Sequence, residues 1–531
     1  MPEHESQAGS PSASPEGGLD RRVVWVALAA VLVLAGALRF YGLSVQSLWS
    51  DELSTWEVAT GETVSRTQIA SREHNPPLYF FIMRNFIRVA GDSEAALRFP
   101  SAVAGTLAVL AMFLVGKRLF SVTEGLISAG LMAVLWCPVS YSQEARTYSM
   151  LLLGTLVSTW LWLDLVVRLR EGRVRRGGTA WVFAGYVAAA VATAYLHYFG
   201  LYIVALQGAA AAVWVGFKRP KVLAWLLLLC VIIAAAYVPW LTVVKQHLAT
   251  QKFWIPKPRG NHVWRFCLFM GGYSAVVVWA FFGAAAWVIG RAAWRFFVRK
   301  PPEDGACAAG FPKAELLAFL WLIVPGVVSL VYSLISTPVV TYRNLIVSLP
   351  AVCLVAARAI AVLPVRLLWR GALAAAVIAA LVLHLVFGLR YYSVPSKDQF
   401  RETVQYVIDH DARTPNSMVI EQAFGRHRMD YYFERLGSTR RVDLKAGEMK
   451  DVPGVADEIR TRHAEHIWFL WSHRRPAPEF LEFMRQRYTE VGGRGFVDAG
   501  VILFRNEPPP PGYRFDRAPA PETPAFCPCS Y

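Results

Sequence analysis

The chain has 531 residues, of which 55% are hydrophobic and only 17% are charged. Several apolar runs reach the ~20 residues that a helix needs to cross a bilayer, so the composition indicates a polytopic membrane protein and excludes a water-soluble globular one. The formal net charge of +16 does not indicate nucleic-acid binding, because Lys and Arg lie in short clusters between apolar runs, where they signal topology. The seven cysteines are scattered and predict neither a disulfide framework nor a zinc site.

The N-terminal tail, residues 1–22, is rich in Ser, Pro, Glu and Gly over its first 20 residues, a composition typical of disorder. Arg21 and Arg22 then precede a long apolar run, an order that predicts an uncleaved signal anchor. Eleven apolar runs predict membrane-spanning helices, at 23–43, 99–116, 122–139, 147–167, 179–196, 199–217, 222–241, 274–292, 314–335, 344–363 and 367–388.

Basic residues cluster in every second loop between these runs, as at 117–118, 168–176 and 218–221. Positive residues accumulate on the cytoplasmic side of membrane proteins. The pattern therefore predicts a multi-pass protein of the cell (inner) membrane with a cytoplasmic N-terminus and its C-terminal segment outside.

The segment 73–90 is apolar but carries Arg84 and Arg88 at helical spacing. It predicts an interfacial helix lying against the membrane, and 53–72 predicts a second such helix or part of one. Arg98 is interpreted as an anchor at the membrane boundary, and Asp164 as the partner of nearby arginines.

Residues 391–531 have a mixed pattern. A helix is predicted over 398–410, buried strands over 417–421, 466–471 and 500–504, and another helix near 477–488. The chain thus divides into a cytoplasmic tail (1–22), a membrane domain (23–390) and a small extracytoplasmic α/β domain (391–531) with a Pro-rich end.

Polar motifs collect on the predicted outer face, although only Lys and Arg were used to define it. Asp51 and Glu52 follow the first span between Trp49 and Trp56, and acids at a membrane boundary tend to be functional. The other candidates on this face are His74, Glu144, Arg146, His197, Tyr198, Tyr342 and Arg343. Each also has a structural interpretation, such as an acidic collar anchored by tryptophans, a salt bridge between Glu144 and Arg146, or a histidine satisfied at the interface.

The ordered set of motifs resembles the bacterial family 39-type glycosyltransferases of the GT-C fold. Relatives in that group are the protein O-mannosyltransferases, the lipid A aminoarabinose transferases and the rhizobial lipopolysaccharide galacturonosyltransferases. The motifs that carry the resemblance are Trp49-Ser-Asp-Glu52, His74-Asn-Pro-Pro-Leu-Tyr79, Leu97-Arg-Phe-Pro-Ser101, Ser142-Gln-Glu-Ala-Arg-Thr-Tyr148, His197-Tyr198, Tyr342-Arg-Asn-Leu345 and Lys397-Asp-Gln-Phe-Arg401.

The resemblance implies a polyprenyl-phosphate sugar as donor, used at the outer face, with a lipid, glycan or protein hydroxyl as acceptor and no nucleic acid as partner. It implies that Asp51 is the general base and that Glu52 assists it or orients the acceptor. In the aminoarabinose branch a glutamate before the prolines binds a metal. His74 stands at that position here and His197 matches a histidine of the same site, so a divalent metal at these two residues is the one candidate cofactor.

The chemistry agrees with these roles. A carboxylate can take the proton of an acceptor hydroxyl, and sugar transfer passes through an oxocarbenium-like state, as glycoside hydrolysis does. A phosphate leaving group needs neutralising charge, for which Arg146, Tyr342 and Arg343 are candidates. Glu144 and Tyr198 complete the predicted substrate-binding set.

Other classes remain open at this stage. A transporter or flippase of a lipid-linked sugar should place polar residues and broken helices near the middle of the membrane, whereas the apolar runs here are mostly uninterrupted. A polymerase or ligase that uses a lipid-diphosphate donor would share the same face of the membrane. A non-enzymatic scaffold would account for the outer domain but not for the convergence of motifs.

The topology is testable with a reporter fused at residue 95, between the interfacial segment and the second span. We expect the reporter outside, because segment 73–90 does not cross the membrane. A reporter at residue 172, in a basic loop, is the control and should lie inside. A cytoplasmic reporter at residue 95 would show that 73–90 spans the bilayer.

Overall fold

The structure, a computed structural model, describes most of the chain. Its described ranges are 20–61, 75–172, 177–215, 220–249, 255–298, 314–410, 413–414, 416–423, 428–446, 452–472, 475–476 and 478–515. The predicted disorder of residues 1–19, the predicted helix over 62–72, the candidate His74 and the end of the Pro-rich tail lie outside these ranges.

The first 390 residues are helical wherever they form regular structure in the described ranges. The helices are α1 (Arg21–Phe40), α2 (Ser50–Thr60), α3 (Leu78–Ala90), α4 (Glu94–Leu119), α5 (Val122–Val134), α6 (Trp136–Ser142), α7 (Tyr148–Arg170), α8 (Gly177–Leu196), α9 (Phe199–Val215), α10 (Pro220–Tyr237), α11 (Leu241–Ala249), α12 (His262–Met270), α13 (Ala275–Val298), α14 (Ala314–Ile335), α15 (Leu349–Ala361) and α16 (Leu367–Leu383). Short 3-10 turns at Val238–Trp240 and Arg343–Ser348 and a π turn at His384–Gly388 connect or extend them.

The predicted polytopic architecture is confirmed. Among the described helices, nine are long and apolar enough to cross a membrane, and the bent pair α5–α6 makes a tenth span if it counts as one. The apolar part of α9, Phe199–Trp214, is shorter than these. Every run predicted as a span therefore contains a helix. Asp164 is held by Arg118 (3.4 Å) and Arg168 (2.7 Å), as predicted.

The predicted third span is broken rather than continuous, with α5 and α6 meeting at 59°. Pro138 prevents a straight helix here, because it cannot donate to the carbonyl four residues earlier and its ring clashes with that turn. The buried guanidinium of Arg39 donates to the freed carbonyls of Met132 (2.9 Å) and Ala133 (2.8 Å). An arginine at the end of α1 thus satisfies backbone groups that lipid could not.

Asp51 and Glu52 lie in the first turn of a helix, not in a loop. The prediction that a helix begins near residue 53 was therefore three residues late. The helix begins early because the Glu52 side chain accepts a hydrogen bond from the backbone N–H of Trp49 (3.3 Å), as in a capping box. Acidic residues also favour this end of a helix. The interfacial position of α2 and α3 stays a prediction.

The C-terminal domain is a five-stranded sheet with the order β2-β1-β3-β5-β4. Its elements are α17 (Phe400–Asp409), β1 (Ser417–Ala423), α18 (Met429–Arg435), β2 (Leu444–Ala446), α19 (Val452–Arg462), β3 (His466–Ser472), α20 (Pro478–Arg487), β4 (Thr489–Phe496) and β5 (Ala499–Arg505). Strands β2, β1 and β3 are parallel, and β5 and β4 run antiparallel to their neighbours. Both predicted helices and all three predicted strands are confirmed, whereas β2, β4, α18 and α19 were missed.

The two faces of this sheet bury different partners. Alternate residues such as Ile420 and Phe469 pack under α19 and α20. The opposite face, with Trp468 and Leu470, joins one buried cluster with Leu53 of α2 and residues of α3. The domain is therefore docked on the segment that follows the first span, next to Asp51 and Glu52.

Candidate active site around Asp51 and Glu52

Glu52 has no exposed surface. Arg98 holds both of its carboxylate oxygens, with Nε donating to Oε1 (2.8 Å) and Nη2 to Oε2 (2.7 Å). The ammonium of Lys397 (3.1 Å) and the backbone N–H of Ala145 (2.8 Å) donate to Oε1 as well. One carboxylate thus joins α2 to α4, to the loop after α6 and to the segment that opens the C-terminal domain.

Arg98 does not anchor the chain at the membrane boundary, so that interpretation was wrong. It lies in the second turn of α4, is 2% exposed, and also donates to the carbonyls of Leu43, Gln46 and Ser47. The helix begins at Glu94 rather than near 99, which turns Arg98 inward. It therefore ties the connection between α1 and α2 to the site.

The pKa of Glu52 reflects its partners. Burial by itself would raise it, but Arg98 and Lys397 outweigh burial and lower the pKa to about 2. The side chain is ionised and both of its oxygens are occupied by protein donors, which leaves no acceptor position for a substrate.

Asp51 faces a different environment. Its Oδ2 accepts a hydrogen bond from Arg343 Nη1 at 2.6 Å, and about a third of its side chain, 29%, is exposed, against 6% for Arg343. The Arg343 guanidinium also lies 5.6 Å from the Trp49 ring centre. Arg146 donates to the backbone carbonyl of Asp51 (3.2 Å) and to Thr55 (3.3 Å). The structure thus brings together Asp51, Arg146 and Arg343, although Asp51 and Arg343 are 292 residues apart in the sequence.

Glu144 is a second buried carboxyl, and it differs from Glu52. It is 1% exposed, and neither carboxylate oxygen accepts a hydrogen bond from a described residue. It therefore does not form the salt bridge with Arg146 that the spacing allowed. Burial raises the pKa of Glu144 to about 7, against the opposing charges of Lys397 and Arg343. A carboxyl with this pKa changes charge near neutral pH.

His197 lies beside the same arginines. Its Nδ1 accepts a hydrogen bond from the backbone N–H of Phe199 (3.1 Å), and the Asn344 side chain hydrogen-bonds it as well. Burial, together with the charges of Arg146 and Arg343, lowers the pKa of His197 to about 3. The imidazole is therefore neutral.

Within the described ranges there is no group of three or more His, Cys, Asp or Glu side chains that could hold a metal ion. The other predicted ligand, His74, lies outside those ranges. The metal therefore stays a prediction that rests on the resemblance.

Tyr198 and Tyr342 lie at the edges of the site. The Trp240 indole donates to the hydroxyl of Tyr198 (3.2 Å). Tyr342 precedes Arg343 and stacks against His262, with ring centres 4.7 Å apart. His262 in turn lines a mainly apolar cavity of about 750 Å³ among α12–α16. The sequence did not indicate His262 or the helix that begins there, because this stretch lies between two predicted spans.

The fold and the site together define a class of protein. It is a multi-pass membrane protein in which an acidic pair after the first span meets arginines from later parts of the chain.

Comparisons with known proteins agree with that class. The family described as dolichyl-phosphate-mannose-protein mannosyltransferase matches residues 74–242, less than half of the chain. No curated protein sequence matches. ArnT from Cupriavidus metallidurans in the apo state is similar in structure, with a TM-score of 0.55 at 12% identity over 91% of this chain and 98% of that one.

Two further structures carry bound lipids. ArnT from Cupriavidus metallidurans bound to undecaprenyl phosphate matches with a TM-score of 0.51, at 14% identity over 92% of this chain and 98% of that one. The Archaeoglobus fulgidus oligosaccharyltransferase AglB, in complex with an inhibitory peptide and a dolichol-phosphate, matches with a TM-score of 0.51, at 11% identity over 89% and 73%. At these identities the likeness confirms the predicted GT-C fold.

The role of Glu52 as an ionised anchor predicts a pH-dependent stability. Its pKa in the folded state lies below the ordinary value of 4.5, so its contribution is fully present above about pH 4.5 and is lost as the pH falls toward 2. Glu52→Gln leaves Arg98 and Lys397 buried without their charge partner, which costs about 3–5 kcal/mol. We expect a large fall in the thermal unfolding midpoint at pH 7 and a smaller difference from wild type at low pH.

Glu458→Gln is the control, because Glu458 forms an exposed ion pair with Arg462 (2.7 Å), and such pairs contribute about 0–1 kcal/mol. Equal midpoints for Glu52→Gln and Glu458→Gln at pH 7 would contradict the anchor role.

Proposed function

We propose that this protein is a membrane glycosyltransferase that moves a sugar from a polyprenyl-phosphate donor to a hydroxyl group of an acceptor. The observation that carries the proposal is the Asp51–Arg343 pair (2.6 Å), placed beside an apolar cavity in a GT-C fold. It acts at the extracytoplasmic face of the cell membrane, where the basic loops predict this end of the helices to lie.

The apolar cavity suits the lipid part of such a donor. Its walls are mostly Val, Leu, Ile, Phe and Ala from the membrane helices, and its volume of about 750 Å³ holds a long hydrocarbon segment. At the end near the site, Arg265 lies over the Tyr342 ring at 5.8 Å. In this proposal the phosphate headgroup binds between Arg265 and Arg343, while its chain stays in the cavity. ArnT has been seen with undecaprenyl phosphate bound, which supports this class of donor.

The reaction needs one base and one stabilised leaving group. The Asp51 carboxylate takes the proton of the acceptor hydroxyl as that oxygen forms a bond to the anomeric carbon. The bond from that carbon to the phosphate oxygen breaks, and polyprenyl phosphate leaves with the electron pair. Arg343 and Arg146 stabilise the negative charge that develops on the phosphate. A single direct displacement inverts the anomeric centre.

Glu52 and Glu144 take separate roles in this proposal. Glu52 is a positioning residue, because it is enclosed by Arg98, Lys397 and Ala145 and holds the turn that carries Asp51. Glu144 contacts the substrate, because its two oxygens have no described partner and a sugar hydroxyl can supply one. At a pKa of about 7 it can both donate and accept a hydrogen bond when protonated.

A transporter of a lipid-linked sugar is not favoured. Buried charges should then lie near the middle of the spans. Among the described residues, the buried ion pairs instead lie near the ends of helices. Glu52 and Arg98 pair near the starts of α2 and α4, and Glu124 and Arg358 pair near the start of α5 and the end of α15. The sugar and the acceptor class stay open within the proposal.

The base assignment is tested with Asp51→Asn. We expect transfer from polyprenyl-phosphate sugars in proteoliposomes to fall by about 10²–10⁴-fold, because proton transfer to a positioned base contributes that much. Asp164→Asn is a matched control, since Asp164 has the same 29% exposure and is also held by arginines. Full activity of Asp51→Asn would contradict the role of Asp51. No turnover with any donor, together with movement of the sugar lipid across the bilayer, would contradict the enzyme.

The raised pKa of Glu144 predicts that kcat/KM for the donor depends on pH near neutrality. Below about pH 7 its carboxyl is protonated, and above this pH it adds a negative charge next to Asp51 and the donor phosphate. We expect kcat/KM for the donor to fall several-fold between pH 6 and pH 8, and Glu144→Gln, which stays neutral, to remove that fall. Glu124→Gln, a change at a buried glutamate paired with Arg358, should keep the wild-type profile. A fall between pH 6 and pH 8 that persists in Glu144→Gln would contradict this role of Glu144.

A further inference from the structure

A polar groove of about 760 Å³ lies on the C-terminal domain between α17 and β4. We call it the α17–β4 groove. Strand β4 is at the edge of the sheet and pairs only with β5 within the described sheet. One end of the groove is closed by Gln399, whose backbone N–H donates to the carbonyl of Val497 (3.1 Å) and whose side chain accepts from the Val497 N–H (3.0 Å).

The groove is lined by charges that balance. Arg401 and Arg494 contribute two positive groups, and Glu402 and Asp409 contribute two negative ones. A phosphate, a nucleic acid or an acidic peptide would need an excess of positive charge. The balance instead favours an uncharged ligand that both donates and accepts hydrogen bonds.

The other lining groups point to a ligand with many hydroxyls. The amides of Gln399 and Gln405 each donate and accept, and the amide of Gln405 is held in place by Asp409 (2.8 Å). Tyr406 and Phe496 line the groove as well, and aromatic rings offer an apolar face beside these polar groups. Saccharides combine ring faces with dense hydroxyls, so the lining matches them in both respects.

The groove is joined directly to the candidate active site. Residues 397–399 lead from that site into α17. Lys397 donates to Glu52 (3.1 Å), Asp398 accepts from the backbone N–H of Ser50 (3.2 Å), and the next residue, Gln399, lines the groove. Arg401, also in the lining, donates to the carbonyl of Ser44 (3.1 Å). A ligand in the groove thus lies on the segment that contacts the turn carrying Asp51.

We propose that the α17–β4 groove binds the uncharged, hydroxyl-rich saccharide part of the acceptor and presents it to the site around Asp51. This rests on the proposed function and adds the acceptor class to it. The saccharide can belong to a free glycan or to the headgroup of a lipid, since both offer the same chemistry to the groove.

Binding is measured without any transfer, by saturation-transfer difference NMR on the full chain in lipid nanodiscs. The probes are neutral oligosaccharides of two to four hexoses, either free or linked to a lipid in the nanodisc. We expect at least one probe to bind, and the double variant Gln405→Ala/Arg494→Ala to weaken that binding at least tenfold. Binding of free probes identifies a soluble glycan as the source, and binding of the lipid-linked probes alone identifies a lipid headgroup.

The matched control is Gln486→Ala/Arg460→Ala. Gln486 also sits on a helix of this domain and bonds an acid one turn away, Glu482 (3.5 Å), and Arg460 is exposed. The control should bind like wild type. Absence of binding by every probe to wild type, or equal binding by the groove variant, overturns the proposal.

The transfer assay separates this proposal from the proposed function. With a saccharide acceptor, the groove variant should raise the acceptor KM at least tenfold and change kcat less. One outcome is that wild type binds a saccharide, the groove variant does not, and no polyprenyl-phosphate sugar is turned over. This outcome would support the saccharide site in the groove and contradict the proposed glycosyltransferase function. The opposite outcome is transfer for which the groove variant has an unchanged acceptor KM, or transfer to a protein acceptor alone. This outcome would support the proposed function and overturn the proposal that the groove binds the acceptor saccharide.

Discussion

The carboxylate of Glu52 receives hydrogen bonds from Arg98, Lys397 and the backbone of Ala145. These donors come from a membrane helix, from the segment entering the C-terminal domain and from the loop after α6. Removing charges from water is costly unless each is paired and hydrogen-bonded, so the four groups are stable only together. The position of the first turn of α2, and therefore of Asp51, depends on that assembly.

Adjacent residues of a helix point about 100° apart, and α2 uses this to separate two carboxylates. Glu52 faces the interior and is saturated with donors, whereas Asp51 faces Arg343 and keeps 29% of its side chain exposed. The anchor Glu52 and the candidate base Asp51 are thus neighbours in the sequence but lie in different environments. Glu144 completes the set as a buried carboxyl with a raised pKa, so the two buried acids of the site, Glu52 and Glu144, have pKa values shifted in opposite directions.

Two cavities of opposite character have lining residues that connect to the site. On the membrane side is the apolar cavity, which His262 and Tyr342 connect to Arg343. On the other side is the α17–β4 groove, which residues 397–399 connect to Glu52 and Ser50. In the proposed function, the lipid-linked donor enters from the membrane domain and the hydroxyl-rich acceptor from the small α/β domain.

The sequence by itself determined the polytopic helical fold, the α/β character of the end of the chain and the set of motif residues, because hydrophobic runs and their period are local properties. It did not determine that Arg98 is buried, that the third span bends at Leu135, or that Glu52 is enclosed by donors while Asp51 stays partly exposed. Those depend on contacts such as Arg98–Glu52, Arg39–Met132 and Lys397–Glu52, which join residues far apart in the chain. Only the tertiary structure decided them, since burial and charge pairing are properties of the packed molecule and not of any single segment.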